Sequence, residues 1–421
     1  MICALSFFTI SVFGQFSVTI SAPENLSAKE VYFYTQDGSK DILISKETKK
    51  NNSWSFKYPK KYVGMMKAFF PEINYTMNFV SENKDISIKL NHKNGKISDI
   101  DYLDESNKLM NEIQDLQRKK EYILPALYQI KEFYKPDSEF NKAMDKEILL
   151  LSNGKNFDII KHPFISYYTT NYSKFLSQNN NSRPSQQEII NFISNSNEML
   201  ETSTLLRPLL LAYFENSGGN VETAADNLLK AVNVETPRGQ TVMSEVIELF
   251  DVSMPQLKEK YLAQAKNLKC SINDRLSSTI TVNDKTNIGA TFENHTFTMP
   301  SNTNAKTIYD VKADKKVIVF WSSTCSHCEK ELPQFIPYYN QMKSKNIEII
   351  GLSLDADKNA YNSKALAYPW INDTELRGWY SSFNEKYNIH ATPTFFVLDK
   401  ANKIIAKPEH VNDVLKYLGL N

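Results

Sequence analysis

The chain has 421 residues, enough for two or three domains of on the order of 100 to 200 residues each. Its 49 lysines and arginines balance 48 aspartates and glutamates, a formal charge of +1 with no basic patch, which argues against nucleic acid as a partner. Four cysteines in so long a chain exclude a disulfide-stapled scaffold.

Residues 1–15, MICALSFFTISVFGQ, hold an apolar run from Ile2 to Phe13 followed by Gly14 and Gln15. The run resembles the core and cleavage region of a secretory signal peptide, with Val12 and Gly14 at the positions a signal peptidase reads, although no Lys or Arg follows Met1. A buried N-terminal strand is the competing reading. The run is too short for a permanent membrane helix, so the mature protein is expected to be soluble and exported, and Cys3 to leave with the signal.

Residues 16–102 alternate apolar and polar side chains in short runs: FSVTIS, EVYFYT, DILISK, SWSFKY, VGMMKAFF, YTMNFV and ISIKL. Period two with turn residues between runs, among them Asn94-Gly95, predicts a small antiparallel β-sandwich whose core takes Tyr32, Phe33, Trp54 and Phe56. Residues 103–270 change to apolar spacings of three and four, broken at KPDS, NNNSRPS, NSGGN and VETPRGQ. Six or seven helices are expected there. His162 is the only histidine of that region and has no carboxylate cluster at ligand spacing beside it, so no metal or catalytic role is assigned to it. The polar stretch 271–283 has the composition of a linker, and Cys270 before it is expected to be a buried structural thiol.

Residues 284–421 alternate strand and helix: KVIVFW, a helix through Met342, IEIIGLSL, a helix near Ala360, a turn at Asn372-Asp373, then TFFVLD, KIIAK and a final helix from Val411. Strands that are continuous apolar runs belong to a sheet covered on both faces, so this part is an α/β domain. The predicted whole is a multidomain α+β protein: β-sandwich, helical region and α/β domain.

The chemistry concentrates in VFWSSTCSHCEKELP. Cys325 follows a strand and begins a helix, where unpaired backbone N–H groups stabilise a thiolate, so it is expected to attack. Cys328, one turn on, is placed to resolve a mixed disulfide. A structural zinc site needs four ligands, and the only other mature cysteine, Cys270, lies on an unrelated segment. Two reduced buried thiols are the remaining alternative, but an exported pair would close in an oxidising compartment.

With IEIIGLSLD and YNIHATPTFFVLD downstream, these residues resemble the TlpA-like thiol-disulfide oxidoreductases, exported thioredoxin-fold proteins of the bacterial envelope, over roughly residues 284–421. The resemblance implies a thioredoxin-like redox domain with a cis bond at Thr392-Pro393 facing the cysteines; the residues alone read as an ordinary turn. If it is cis, the backbone of Thr392 can pair with an extended client segment. The resemblance also places Glu331, three residues after the second cysteine, at the family's glutamate, which could take up and return the proton of Cys328. A solvated helix glutamate is the alternative. His327 stands where reducing members carry proline, and a cationic imidazole there would make the disulfide more oxidising. Trp321 packs under the active-site loop, beside the substrate-binding pair Thr392 and Pro393, or serves only the core.

The resulting reading is an exported, periplasmic or envelope thiol-disulfide oxidoreductase of the reductase or isomerase type, using Cys325, Cys328 and Glu331, tuned by His327. The family implies protein thiol and disulfide clients in the envelope and a membrane thiol reductase as electron donor. No small-molecule cofactor and no metal are implied. The rival reading is a client-binding scaffold with a secondary redox domain. A thiol peroxidase is disfavoured, because the Pro-x-x-x-Thr-x-x-Cys context is absent.

Overall fold

The computed structural model describes residues 16–93, 96–177 and 183–420, so the leader expected at 1–15, Cys3 and the Asn94-Gly95 turn lie outside the described residues. The chain divides into two compact units, one ending at Val234 and one beginning at Glu235. Among the described residues no helix is long and apolar enough to cross a membrane.

In the first unit the alternating runs form β1 (Phe16–Ser21), β2 (Glu30–Asp37), β3 (Lys40–Thr48), β4 (Ser53–Tyr58), β5 (Val63–Phe70), β6 (Tyr75–Glu82), β7 (Ile86–Lys93) and β8 (Lys96–Tyr102). They build two four-stranded sheets in the orders β4-β1-β7-β8 and β3-β2-β5-β6. Period two decides which side chains meet between them. Phe16, Val18 and Ile20 of β1 and Ile86, Ile88 and Leu90 of β7 pack against Phe33 of β2 and Met66, Ala68 and Phe70 of β5. Trp54 is fully buried in the same core and donates its indole N–H to the carbonyl of Lys29. The expected sandwich is therefore observed, but it is not wholly antiparallel, because β1 and β7 pair in parallel. Between them the chain runs through the other sheet, which is the long crossover that a parallel pair requires.

The first unit continues with α1 (Glu105–Arg118), a π-helical turn at Lys119–Ile123, α2 (Leu124–Lys131), α3 (Glu139–Asn153), α4 (Pro163–Phe175), α5 (Gln186–Asn195), α6 (Met199–Thr202), α7 (Leu206–Glu215) and α8 (Val221–Val232). Caps and breakers explain the starts: Asp104 accepts from the N–H of Asn107, and Pro163 occupies the first turn of α4. His162 is buried and bonded through Nδ1 to the buried carboxylate of Glu82 at 2.6 Å. The other Glu82 oxygen accepts from the N–H of Phe164, so the pair ties β6 to the head of α4. This is a structural clasp.

The second unit runs α9 (Pro237–Ser253), α10 (Pro255–Lys266), α11 (Asp274–Lys285), β9 (Lys315–Trp321), α12 (Ser326–Glu331), α13 (Ile336–Ser344), β10 (Ile347–Ser353), α14 (Lys358–Ala365), β11 (Ile371–Thr374), α15 (Ser382–Tyr387), β12 (Thr394–Asp399), β13 (Ile404–Ala406) and α16 (Val411–Tyr417). Its sheet has the order β11-β10-β9-β12-β13. β9, β10 and β11 are parallel, while β12 opposes β9 and β13 opposes β12. Along β9, Val317, Val319 and Trp321 enter one core cluster and Ile318 and Phe320 the other, so both faces are covered.

Three expectations change. Among the described residues, 103–270 holds ten α-helical segments, α1 to α10, rather than six or seven, because prolines and Asn-rich breaks leave several helices short. The expected linker at 271–283 is mostly α11, capped by Asn273, and it belongs to the second unit with α9 and α10. Its polar composition hid it: Arg275 is buried and gives one guanidinium to Glu245 and Glu248 of α9. Asn372 and Asp373, expected in a turn, lie fully buried in β11. There Asp373 accepts from His295 Nε2 and from the N–H groups of Thr298 and Met299.

The side chains of Arg275 and Glu245 are 1% and 0% exposed. Arg275→Met removes the guanidinium that neutralises two carboxylates, so a loss of about 3 kcal/mol or more is expected. Urea unfolding followed by tryptophan fluorescence measures it, and a midpoint equal to that of the wild type would show that the buried ion pairs do not form.

Candidate active site

β9 ends at Trp321, and the next residues turn at the carboxyl edge of the sheet into α12. A buried carboxylate holds that turn. Asp355, just past the end of β10, accepts from the N–H of Ser323 at 3.0 and 3.1 Å, from the hydroxyls of Ser322 at 3.0 Å and Ser323 at 2.6 Å, and from Ser353 at 2.6 Å. Sequence reasoning places Asp355 only at the end of a strand motif and assigns it no role. Its signal is a polar Ser-x-Asp at a strand's carboxyl end, the edge where open α/β sheets place their sites.

Cys325 is the N-cap of α12, and its sulfur accepts from the N–H of Cys328 at 3.1 Å. Cys328, one turn on, is 1% exposed within the core cluster, whereas Cys325 is half-buried. Their sulfurs face each other at 2.6 Å. Burial pushes the Cys328 thiol up from its ordinary range, and its hydrogen bond to Cys325 adds to that. On the other side, Thr392-Pro393 is cis, and the Cys325 thiol donates to the carbonyl of Thr392 at 3.3 Å. Asp251 of α9 lies 4.0 Å from His390, two residues before Thr392, so the helical segment reaches the same edge.

The remaining candidates divide. Cys325, Cys328 and Thr392 are brought together, with Pro393 in the same turn. Trp321 is 1% exposed, packed near Tyr361 and Tyr368 in the cluster that holds Cys328, and it has no surface for a client. A substrate-binding role is therefore replaced by a core role. Glu331 turns to α16: its carboxylate takes the His410 ring at 2.6 Å and the N–H of Val411 at 2.9 Å, and it has no hydrogen bond to either cysteine. His327 is exposed on α12. Cys270 is half-buried rather than buried and accepts from Gln240 Nε2 at 3.3 Å. Among the described residues no cluster of three or more His, Cys, Asp or Glu could hold a metal.

This arrangement is that of a thioredoxin-like domain, and the family described as thioredoxin-like matches residues 314–404. Over this stretch the domain is similar to TlpA- and ResA-like thiol-disulfide oxidoreductases. It is 34% identical over 104 residues to a thiol-disulfide oxidoreductase ResA of Bacillus cereus, covering 23% of this chain and 56% of the relative. With ResA of Bacillus subtilis the identity is 27% over 109 residues, 24% of this chain and 58% of the relative. The chain thus spans little more than half the length of these relatives. A crystal structure of the thioredoxin domain of a thiol-disulfide oxidoreductase from Bacteroides vulgatus aligns at 25% identity and a TM-score of 0.28, covering 31% of this chain and 97% of that one.

His410 is held above the ordinary histidine range, first by its hydrogen bond to Glu331 and then by that carboxylate's charge. A raised value means that the link between α12 and α16 contributes fully below a pH of about 6.5 and is lost as pH rises through the raised value. Glu331→Gln is expected to bring the His410 titration down toward the ordinary range in NMR spectra. An unmoved titration would mean that the bond to Glu331 does not form.

Proposed function

We propose that the protein is an exported thiol-disulfide oxidoreductase that exchanges disulfides with envelope proteins through Cys325 and Cys328. The observation that carries this reading is the asymmetric pair: a half-buried sulfur at the head of α12, touching a buried thiol on one side and the Thr392 carbonyl on the other. Cys325 as thiolate attacks one sulfur of a client disulfide and forms a mixed disulfide, while the other client sulfur leaves as a thiolate. Cys328 then loses its proton and attacks the Cys325 sulfur, which releases the client's second sulfur and closes the Cys325–Cys328 bond. Two electrons pass from the pair to the client. A thiol-bearing membrane reductase resets the pair by the same exchange in reverse. Thr392 and Pro393 border the place where a client strand meets Cys325, and the carbonyl of Thr392 supports that role.

Trapping tests the division of labour. Cys328→Ser is expected to accumulate mixed disulfides with client proteins, and Cys325→Ser is not. Because burial raises the Cys328 thiol, resolution in the wild type should speed up by about ten-fold per pH unit from about pH 7 to 9, as the thiolate fraction grows. Equal trapping by both variants, or a pH-independent resolution rate, contradicts the assignment.

His327 is assigned as the residue that tunes the pair. His327→Pro removes an imidazole from the first turn of α12 and should shift the midpoint in the reducing direction by tens of millivolts, where about 30 mV corresponds to roughly 1.4 kcal/mol. Titration against glutathione buffers reads it, and a midpoint that stays put removes His327 from the site.

A further inference from the structure

The first unit contains a cleft of about 590 Å³ bounded by β6, β8, α1, the π-helical turn that follows α1, and Tyr168 and Tyr172 of α4. Ile97, Ser98, Asp99 and Ile100 of β8 all line it. Neighbouring residues of a strand point to opposite faces of its sheet, so four in succession border one space only where that space runs along the strand's edge. β8 is an outer strand paired to β7 alone, and β6, whose Met77 and Asn78 also border the cleft, is the outer strand of the other sheet. The cleft therefore opens on the edge of β8, whereas the edge of β6 is already engaged there: its Asn78 carbonyl accepts from the Tyr102 hydroxyl at 3.5 Å, and the N–H and carbonyl of Val80 are bonded to the Asn107 side chain of α1. An uncovered edge presents a row of backbone N–H and C=O groups at the repeat of another strand.

The facing wall carries side-chain amides. Asn111, Gln114 and Gln117 recur every third residue of α1, about 4.5 Å apart along the axis, and Asn78 stands on the β6 side. None of the four amides has a hydrogen-bond partner among the described residues. Each offers a donor and an acceptor, the same pair that every residue of a peptide backbone presents. The wall's charges are partly engaged already: Glu121 accepts from the hydroxyls of Tyr172 and Ser177, and Arg118 pairs with Asp115 at 3.6 Å.

We propose that this cleft binds an extended, uncharged polypeptide segment as an added strand on β8, its far edge facing the amides of α1. About five residues fill the stretch of β8 that borders the cleft, at roughly 3.4 Å each. A carbohydrate would use the amides and the tyrosines but not the periodic backbone groups of β8, and this favours a peptide. That the segment belongs to a redox client rests on the thiol-exchange reading; the binding of peptide by the cleft does not.

The test uses the full chain and a fluorescein-labelled insulin B chain whose cysteines are blocked with iodoacetamide, so that no exchange with Cys325 can contribute. Saturable binding by anisotropy is expected, with hydrogen–deuterium exchange slowed at residues 97–102. Gln114→Leu combined with Gln117→Leu should weaken binding by about ten-fold, the loss of two hydrogen bonds to the wall. The exchange measurement on the unaltered protein stands whether or not that double variant folds. Absence of binding, binding that leaves exchange at 97–102 unchanged, displacement of the peptide by maltohexaose, or protection of β8 on concentrating the protein alone, which would give the edge to a second copy, each overturns the proposal. None of these outcomes bears on whether Cys325 and Cys328 exchange thiols.

Discussion

The active-site edge depends on one buried carboxyl group and its hydrogen bonds. Asp355 is 4% exposed, and a carboxyl group at such a place is tolerated only if hydrogen bonds replace the water it lost. The turn after β9 supplies them from Ser322 and Ser323. Those hydrogen bonds together offset the cost of ordering two loop residues. The loop is thus held where Asp355 needs it, and Cys325, two residues on, has its place at the head of α12 settled by a carboxyl group just past the end of β10.

From that position the two cysteines acquire different surroundings. α12 leaves the sheet edge and turns inward, so one turn beyond Cys325 the chain is already in the core with Val319, Trp321 and Leu332. Cys328 therefore shares a dry environment with aromatic side chains, while Cys325 keeps one side open beside the Thr392 carbonyl. Two chemically identical side chains, three residues apart, differ in burial, and burial raises the Cys328 thiol above its ordinary range. The proposed sequence of attack and resolution follows from that difference. Glu331 is on the same helix but its oxygens are taken by α16, so it fixes how the two helices meet.

Much of this was legible in the sequence where the signal is local. The alternation of Phe16, Val18 and Ile20, the apolar run of β9 and the Cys-x-x-Cys pair at a strand-to-helix junction all lie within a few residues of what they determine, whereas the cis bond at Thr392-Pro393 was implied only by the family resemblance. What could not be read depends on partners distant in the chain. Residues 271–283 look like a linker because Arg275, Thr279 and Asn283 are polar, yet all three are buried, with Arg275 bound to carboxylates about 30 residues earlier. Asp373 looked like a turn residue for the same reason, its partners being His295 and two backbone N–H groups some 75 residues away. The parallel pairing of β1 with β7 and the role of Asp355 belong to the same class. A buried polar group is invisible to a hydrophobic pattern, and its partner is set by topology.

The most direct test of the central claim is a thiol count on the full chain equilibrated in glutathione buffers, with Cys325 and Cys328 followed separately by alkylation and mass spectrometry. The account expects both thiols to disappear together in one two-electron transition, with a midpoint between about −270 and −120 mV, while Cys270 does not follow them. Glutathione carried on Cys325 while Cys328 remains a free thiol, or a pair that stays reduced throughout, would contradict it.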